Sequence, residues 1–262
     1  MTFAVVTTFH KEGYEKYGKR MMETLAKHLP EEVSLTAYYE NMEAPVHDRW
    51  NCIDFNKLCG ERYEAFKKLA QPYEHSVLVE GKDPRGGGQI TPGSRYLFEA
   101  TRFSHKYFAV DHFWNMDDSR YVVWIDADVI ADKDVPMSFF TEKLVKEGTY
   151  WSRIGRDKAV KIRYPECGFM LWDTQSPHHE RYKQLMSWMY DQGACFQMEE
   201  WHDSFLWWMA ERYINDESKQ SISHDIGDGS GRHPFVRGIL GEYFDHLKGN
   251  RKDQGFSPER EK

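Results

Sequence analysis

The chain has 262 residues, enough for one ordinary α/β domain that buries a substantial core without covalent staples. Forty per cent hydrophobic and 15% aromatic residues, nine of them Trp, exclude a disordered chain. A formal charge of −7 argues against a general nucleic-acid coat, which would be basic. Taken in chain order, FAVVTTF (3–9) is an apolar, β-branched run that starts abruptly, as a buried first strand does. Tyr14, Tyr17, Met21, Met22, Leu25 and Leu29 recur with the helical period up to Pro30, predicting a helix over 13–29. SLTAYYE (34–40) predicts a second strand. Helical spacing returns at Phe55, Leu58, Arg62, Phe66 and Leu69 and is expected to stop before Pro72.

SVLVE (76–80) reads as a third strand, and GKDPRGGGQITPGS (81–94) as a surface loop, since its three glycines lack the Lys-Ser/Thr of a phosphate loop. A third helix is marked by Tyr96, Ala100, Phe103, Tyr107 and Val110, and YVVWI (121–125) is the next strand. Then follow a helix at 137–147, a strand at YWSRI, a strand at FMLWDT (169–174), and helices at 178–192 and 202–214. Residues 215–262 show little periodicity. HDIGDGSGRH (224–233) fails the EF-hand pattern and reads as a flexible loop near the cleft. Strands alternating with helices predict a doubly wound, mostly parallel sheet with a small mixed C-terminal extension.

Cys52, Cys59, Cys167 and Cys195 have neither C-x-x-C nor zinc spacing. No basic leader precedes the first strand, and no apolar run reaches membrane-spanning length. The expectation is a cytoplasmic protein with reduced thiols and no transmembrane segment.

The most informative segment is YVVWIDADVIA (121–131). In open α/β sheets, ligands bind beyond the carboxyl ends of the strands. Asp126 and Asp128 follow such a strand, and in extended backbone positions i and i+2 point the same way, so both carboxylates would face one cation. Hard carboxylate oxygens suit Mn2+ or Mg2+, which are commonly shared with phosphates. A second D-x-D at Asp132 and Asp134 lacks the preceding apolar strand and reads as a solvated turn.

These residues resemble those of the GT-A-fold glycosyltransferases, whose D-x-D motif follows a buried strand. The resemblance implies a Rossmann-like α/β fold in one domain over 1–262, with a nucleotide-binding half (1–130) and an acceptor half with a closing tail (131–262). It implies a metal-dependent transfer of a sugar from a nucleotide diphosphate donor, a UDP-sugar, to an acceptor hydroxyl. Thr7 and Thr8 on the first strand would edge the nucleotide base, and Arg102 and Lys106 in RFSHKYF would face the donor. The tail YFDHLKGNRK (243–252) looks like the family's closing segment. That implies His246 as a third metal ligand, with Gly249 and Lys252 on the diphosphate. Asp253 stands where glycogenin-like members continue with Pro-Trp. The tail has little apolar content to dock it and is expected to become ordered on binding metal and diphosphate.

Gly168 in ECGFML either lets acceptor and donor approach, as the resemblance implies, or forms a bulge. EEWHDSFLWW (199–208) opens a helix with Glu199, Glu200 and Asp203, and one reading is that these complement the helix dipole. WHD before an apolar helix also resembles the histo-blood-group-type transferases, although Ser204 stands where those continue with Glu. That makes Asp203, with Glu200 beside it, the candidate catalytic carboxylates. Asp203 would act as general base on the acceptor or as stabiliser of an oxocarbenium-like transition state. The acceptor could be a glycan, a lipid-linked saccharide, a protein or a modified DNA base.

Three rivals share some of these features. A haloacid-dehalogenase-type phosphatase would use Asp126 as nucleophile, but places its motif on the first strand. A sugar-nucleotide pyrophosphorylase expects a Gly-rich, Arg-containing loop where this chain has TTFHKEGYEKYG. A non-catalytic sugar-nucleotide-binding protein would have no need of the acidic pair and His246.

Overall fold

A computed structural model of the chain describes residues 1–156, 164–228 and 233–261. Among the described residues nine strands are formed: β1 (Phe3–His10), β2 (Val33–Glu40), β3 (Trp50–Asp54), β4 (Tyr121–Ile125), β5 (Val129–Ala131), β6 (Trp151–Ile154), β7 (Glu166–Asp173), β8 (Ser223–Asp225) and β9 (Phe244–His246). Seven make one sheet in the order β3-β2-β1-β4-β7-β6-β8, and β5 pairs with β9 apart from it. The β3-β2-β1-β4 half is parallel throughout, while β7 runs antiparallel to both β4 and β6. The expected mostly parallel α/β sheet is present.

Both faces of this sheet are covered, so its central strands are apolar on both sides rather than alternating with polar residues. Along β1, Ala4 and Val6 enter one apolar cluster while Phe3, Val5 and Phe9 enter the other. On β4, Val122 and Trp124 face the first cluster, and Tyr121, Val123 and Ile125 the second. The first cluster is completed by the helices Gly60–Glu74, Ala100–Met116, His179–Tyr190 and Asp203–Ser218. The second is covered by the helix Lys19–His28 and by Phe139, Phe140, Leu144, Phe235 and Phe244. Each such side chain, fully buried, contributes roughly 1.5–3 kcal/mol.

The helix over 11–28 widens into a π-helical stretch at Tyr14–Gly18. Gly18 packs against Phe9, where a Cβ would come within 3.3 Å of the ring. The helix ends where Arg49 caps it: one guanidinium nitrogen donates to the carbonyls of Ala26 and Leu29 and the other to those of Pro30 and Val33, all between 2.7 and 3.2 Å. A cation at this end also complements the helix dipole.

Several expectations are corrected. SVLVE is not a strand: His75–Val79 is a π-helical turn continuing the Gly60–Glu74 helix, which runs through Pro72. A β-branched run favours strand only where it has strand neighbours, and here Val77 is buried against the helical cluster instead. The third strand is Trp50–Asp54, a short edge strand joined to β2 by residues 41–49, and its sequence WNCID carried no clear signal. The stretch expected as a helix at 137–147 is a π-helical turn at Phe139–Leu144. The loop expected at 224–233 begins as β8, and its residues 229–232 lie outside the described residues.

The tail is docked rather than loose. Phe244 and Leu247 are buried, and β9 pairs antiparallel with β5. Behind it, buried Asp245 accepts bonds from the backbone N–H of Ser257 at 2.8 Å and from its hydroxyl at 2.5 Å, while His233 Nε2 lies 2.9 Å from Ser257 Oγ. The serine hydroxyl donates to the carboxylate and is buried, so this trio pins the tail and is not a nucleophilic triad.

Candidate active site

The strand order places the site. Chain connections run outward from β1 to β2 and β3, then return to β4 on the other side of β1, so a crevice opens at the carboxyl ends of β1 and β4. A cleft of about 570 Å³ lies there, lined among others by Thr8, Tyr17, Lys106, Trp124, Asp126, Asp128 and Asp203.

Asp126 directly follows β4. Its N–H donates to Gly168 O at 2.9 Å, and the Trp124 indole N–H donates to its Oδ1 at 2.6 Å. The acidic pair does not lie in extended backbone, contrary to the i, i+2 expectation. Residues 126–129 form a tight turn, closed by the Val129 N–H to Asp126 O bond at 2.9 Å. The turn folds Asp128 back beside Asp126, and β5 then pairs with β9 in a register that sets His246 opposite Val129. Leu247 N–H donates to Asp128 O at 2.9 Å, locking that register.

Asp126, Asp128 and His246 thereby each offer a ligand atom within 4.8 Å of the others. His246 Nε2 lies 3.1 Å from Asp128 Oδ1 and 3.9 Å from Asp126 Oδ2. It is buried and makes no properly directed hydrogen bond among the described residues. A buried imidazole nitrogen aimed at two carboxylates without a proper bond to either is what a divalent cation would satisfy. The donor set, two carboxylate oxygens and one imidazole, suits Mn2+ or Mg2+. Burial pushes the Asp128 carboxyl up, but His246 and Lys252 outweigh it and hold it below the ordinary carboxylate range.

Lys106, expected to face the donor, lines the cleft and is held there by carboxylates. It is buried, and its ammonium contacts Asp203 Oδ2 at 2.6 Å, Cys167 O at 2.8 Å and Asp126 Oδ1 at 3.1 Å. Three contacts match the three protons of an ammonium. Burial opposes its charge, yet Asp126 and Asp203 keep it protonated. Lys106 therefore bridges Asp126 to Asp203, the first residue of the Asp203–Ser218 helix. Asp203 is itself buried. Burial raises its pKa, but Lys106 and His202 more than compensate and hold it ionised. His202 passes the chain on to Glu200, with Nε2 and Oε2 2.8 Å apart.

The remaining expected residues divide. Thr8 lines the cleft with its hydroxyl donating to Tyr38 O at 3.0 Å, whereas Thr7, on the opposite face of β1, is buried and lines none of it. Arg102 lines the cleft from an exposed position and pairs with Glu99 at 2.6 Å. Lys252 reaches Asp128 Oδ2 at 2.9 Å, with its ammonium 4.3 Å from the centre of the Tyr17 ring. Gly249 has φ +61 with open space around it and lies outside this cleft. Gly168 sits under His246, where an added Cβ would lie 2.6 Å from the imidazole Cε1. Glu200 faces a neighbouring groove instead of the cleft.

Two elements had no sequence signal. Glu166 is buried at the cleft floor beside Lys248 Nζ (2.6 Å) and Arg156 (3.5 Å). Burial pushes its carboxyl up, but Lys248, His246 and Arg156 bring it down to about 2. Tyr17 is exposed to the cleft by the π-helical stretch. Lys248 lies within the tail motif, two residues past His246, and lines the cleft, which Lys252 does not.

No family model matches the chain, and no curated protein matches it. Its structure is similar to that of mouse xyloside xylosyltransferase 1 in the apo form, at 11% identity and a TM-score of 0.49 over 87% of this chain and 86% of that one. It is also similar to the apo glycosyltransferase GlyE of Streptococcus pneumoniae TIGR4, at 13% identity and 0.44, over 86% of this chain but only 45% of GlyE. A third similar structure is a glycosyltransferase involved in glycosylating the major capsid of PBCV-1, at 12% identity and 0.44 over 97% of this chain and all of that one.

Proposed function

We propose that this chain is a metal-dependent glycosyltransferase of the GT-A type, moving a sugar from a nucleoside diphosphate donor, a UDP-sugar, to an acceptor hydroxyl. The observation that carries it is the Asp126, Asp128 and His246 cluster at the carboxyl ends of the parallel strands, with its buried and unbonded imidazole nitrogen. Asp126, Asp128 and His246 would hold Mn2+ or Mg2+, which when bound neutralises charge on the leaving diphosphate. Lys252, half withdrawn over Tyr17, is within reach of the same phosphates and leaves Asp128 free for the cation when it turns to them. Thr8 and Tyr17 edge the nucleotide side of the cleft, and Arg102 adds a positive charge at its rim.

Asp203 carries the chemistry on the sugar side. An ionised carboxylate held by Lys106 is a weak base, and this favours electrostatic stabilisation of positive charge developing at the sugar over proton abstraction from the acceptor. Lys106 is a positioning residue that fixes Asp126 and Asp203 relative to each other. Nothing favours the phosphatase reading: Asp126 Oδ1 already engages the Trp124 indole and Lys106, which makes it a poor nucleophile. The test is a panel of nucleotide sugars incubated with the protein and Mn2+, scoring nucleoside diphosphate release. Release that depends on Mn2+ and is lost in Asp128→Asn supports the reading, and no release from any donor, or release indifferent to chelator, overturns it.

A further inference from the structure

Beside the cleft lies a second groove of about 630 Å³, and Tyr164 lines both. Its floor is the outer face of the Asp203–Ser218 helix. Phe205, Trp208, Arg212 and Asp216 recur at spacings of three and four, which places them in one stripe. The stripe starts in the turn that carries Asp203 and runs about 17 Å along the helix. Trp208 is half-buried, with the Arg212 guanidinium 5.1 Å from its ring centre, and its ring centroid is 5.8 Å from that of Phe205. Tyr213 continues the line of rings toward Trp188, 5.9 Å away. Carboxylates flank the rings: Glu199 and Glu200 at the end near the cleft and Asp216 at the far end, against the one cation Arg212 among the described lining residues.

We infer that this groove is the acceptor subsite of the proposed transferase and that it holds a neutral oligosaccharide of several units. The inference rests on the transferase reading. A pyranose presents C–H faces to aromatic rings and hydroxyls to carboxylates and guanidinium groups, and the groove alternates these two surfaces along its length. Its acidic balance disfavours phosphorylated, sulfated or uronic acid chains and also nucleic acid. Continuity through Tyr164 and Glu200, which is bonded to His202 next to Asp203, aims the end of a bound chain at the reacting centre. A monosaccharide would fill only the first part of such a groove, so affinity grows with chain length.

The experiment is a glycan array probed with the labelled full chain, wild type alongside Trp208→Ala and Arg212→Ala. Arg212 is exposed, so its variant stays informative should Trp208→Ala fail to fold. The expected result is binding to neutral oligosaccharides of three or more units, weaker on mono- and disaccharides and reduced at least about tenfold in both variants. Binding confined to acidic glycans or monosaccharides, absent from every saccharide, or unchanged in the variants would overturn the subsite. Release of nucleoside diphosphate from donor to water, measured on the wild type alone, tests the transferase reading separately. Donor cleavage without saccharide binding removes only the groove, whereas saccharide binding with no cleavage of any donor removes the acceptor role with the transferase.

Discussion

Gly168 and His246 occupy one space: a Cβ on Gly168 would lie 2.6 Å from the imidazole Cε1 and 2.9 Å from Nδ1. The strand β7 and the tail strand β9 meet there, 78 residues apart in sequence, and only a residue without a side chain lets the imidazole reach the acidic turn. Gly168→Ala is expected to displace His246 and cost about 1–3 kcal/mol of stability through overpacking. Titration calorimetry should show weaker Mn2+-dependent binding of UDP, while a variant that binds as the wild type does would separate Gly168 from the metal site.

Asp126→Asn and Asp128→Asn each remove a charged oxygen from the cluster. Altering groups that merely support a metal ligand costs roughly 10–100-fold, so loss of a ligand should cost at least as much in Mn2+-dependent UDP binding. Equilibrium binding with and without chelator makes the measurement, and chelator-resistant binding in either variant would sink the metal assignment.

The Lys106–Asp203 pair makes opposite demands on its two variants. Lys106→Met leaves Asp203 buried without its cation and is expected to destabilise the fold by about 3–5 kcal/mol. Asp203→Asn costs less, because Lys106 keeps Asp126 at 3.1 Å and Cys167 O at 2.8 Å. Its effect should fall on turnover, with kcat and kcat/KM lowered together and donor affinity retained. Urea unfolding and steady-state kinetics on the same preparations test the contrast, which an unstable Asp203→Asn with normal turnover per folded molecule would reverse.

His179 supplies the pH dependence. Burial, with Lys183 nearby, pushes its imidazole down to about 4, and it lies edge-on to Trp114 with Nδ1 3.2 Å from Tyr150 Oη. Between about 4 and the ordinary value near 6.5 the unfolded chain binds a proton that the folded one does not. Stability should therefore fall as pH drops through that window, by at most about 1.4 kcal/mol per unit from this group. His179→Gln, uncharged throughout, should flatten that part of the stability curve, and an unchanged slope would show that other groups set it.

Ser257→Ala tests the docked tail. It removes the hydroxyl that donates to buried Asp245 and leaves that carboxylate short of a partner, at about 1–3 kcal/mol. Faster amide exchange at 244–247 is expected, with weaker Mn2+-dependent UDP binding as His246 loses its register. Removing 246–262 outright is the harsher version, since it takes away Leu247 and Ser257 together, and the shortened chain should be unstable. Unaltered exchange in Ser257→Ala would mean that the β5–β9 pairing holds the tail unaided.

The alternation of apolar runs and helical periods was enough to read β1, β2, β4, β6, β7 and, among the described residues, the five long helices, because both sheet faces are buried and each element must carry its own apolar face. Asp126 and Asp128 were equally legible, since they follow the most apolar strand at the end where a parallel sheet binds ligands. The sequence was silent on how they converge: a turn, not an extended strand, sets their angle. It was misleading at SVLVE, whose β-branched letters are packed as a helical turn, and silent on the carboxylates that hold Lys106 in the cleft. His246 was named by resemblance, but its place depends on β9 pairing with β5 in one register, a long-range match that no local pattern encodes. Local propensity writes the elements, whereas contacts between residues far apart in the chain decide which side chains meet, and the site is made almost entirely of such contacts.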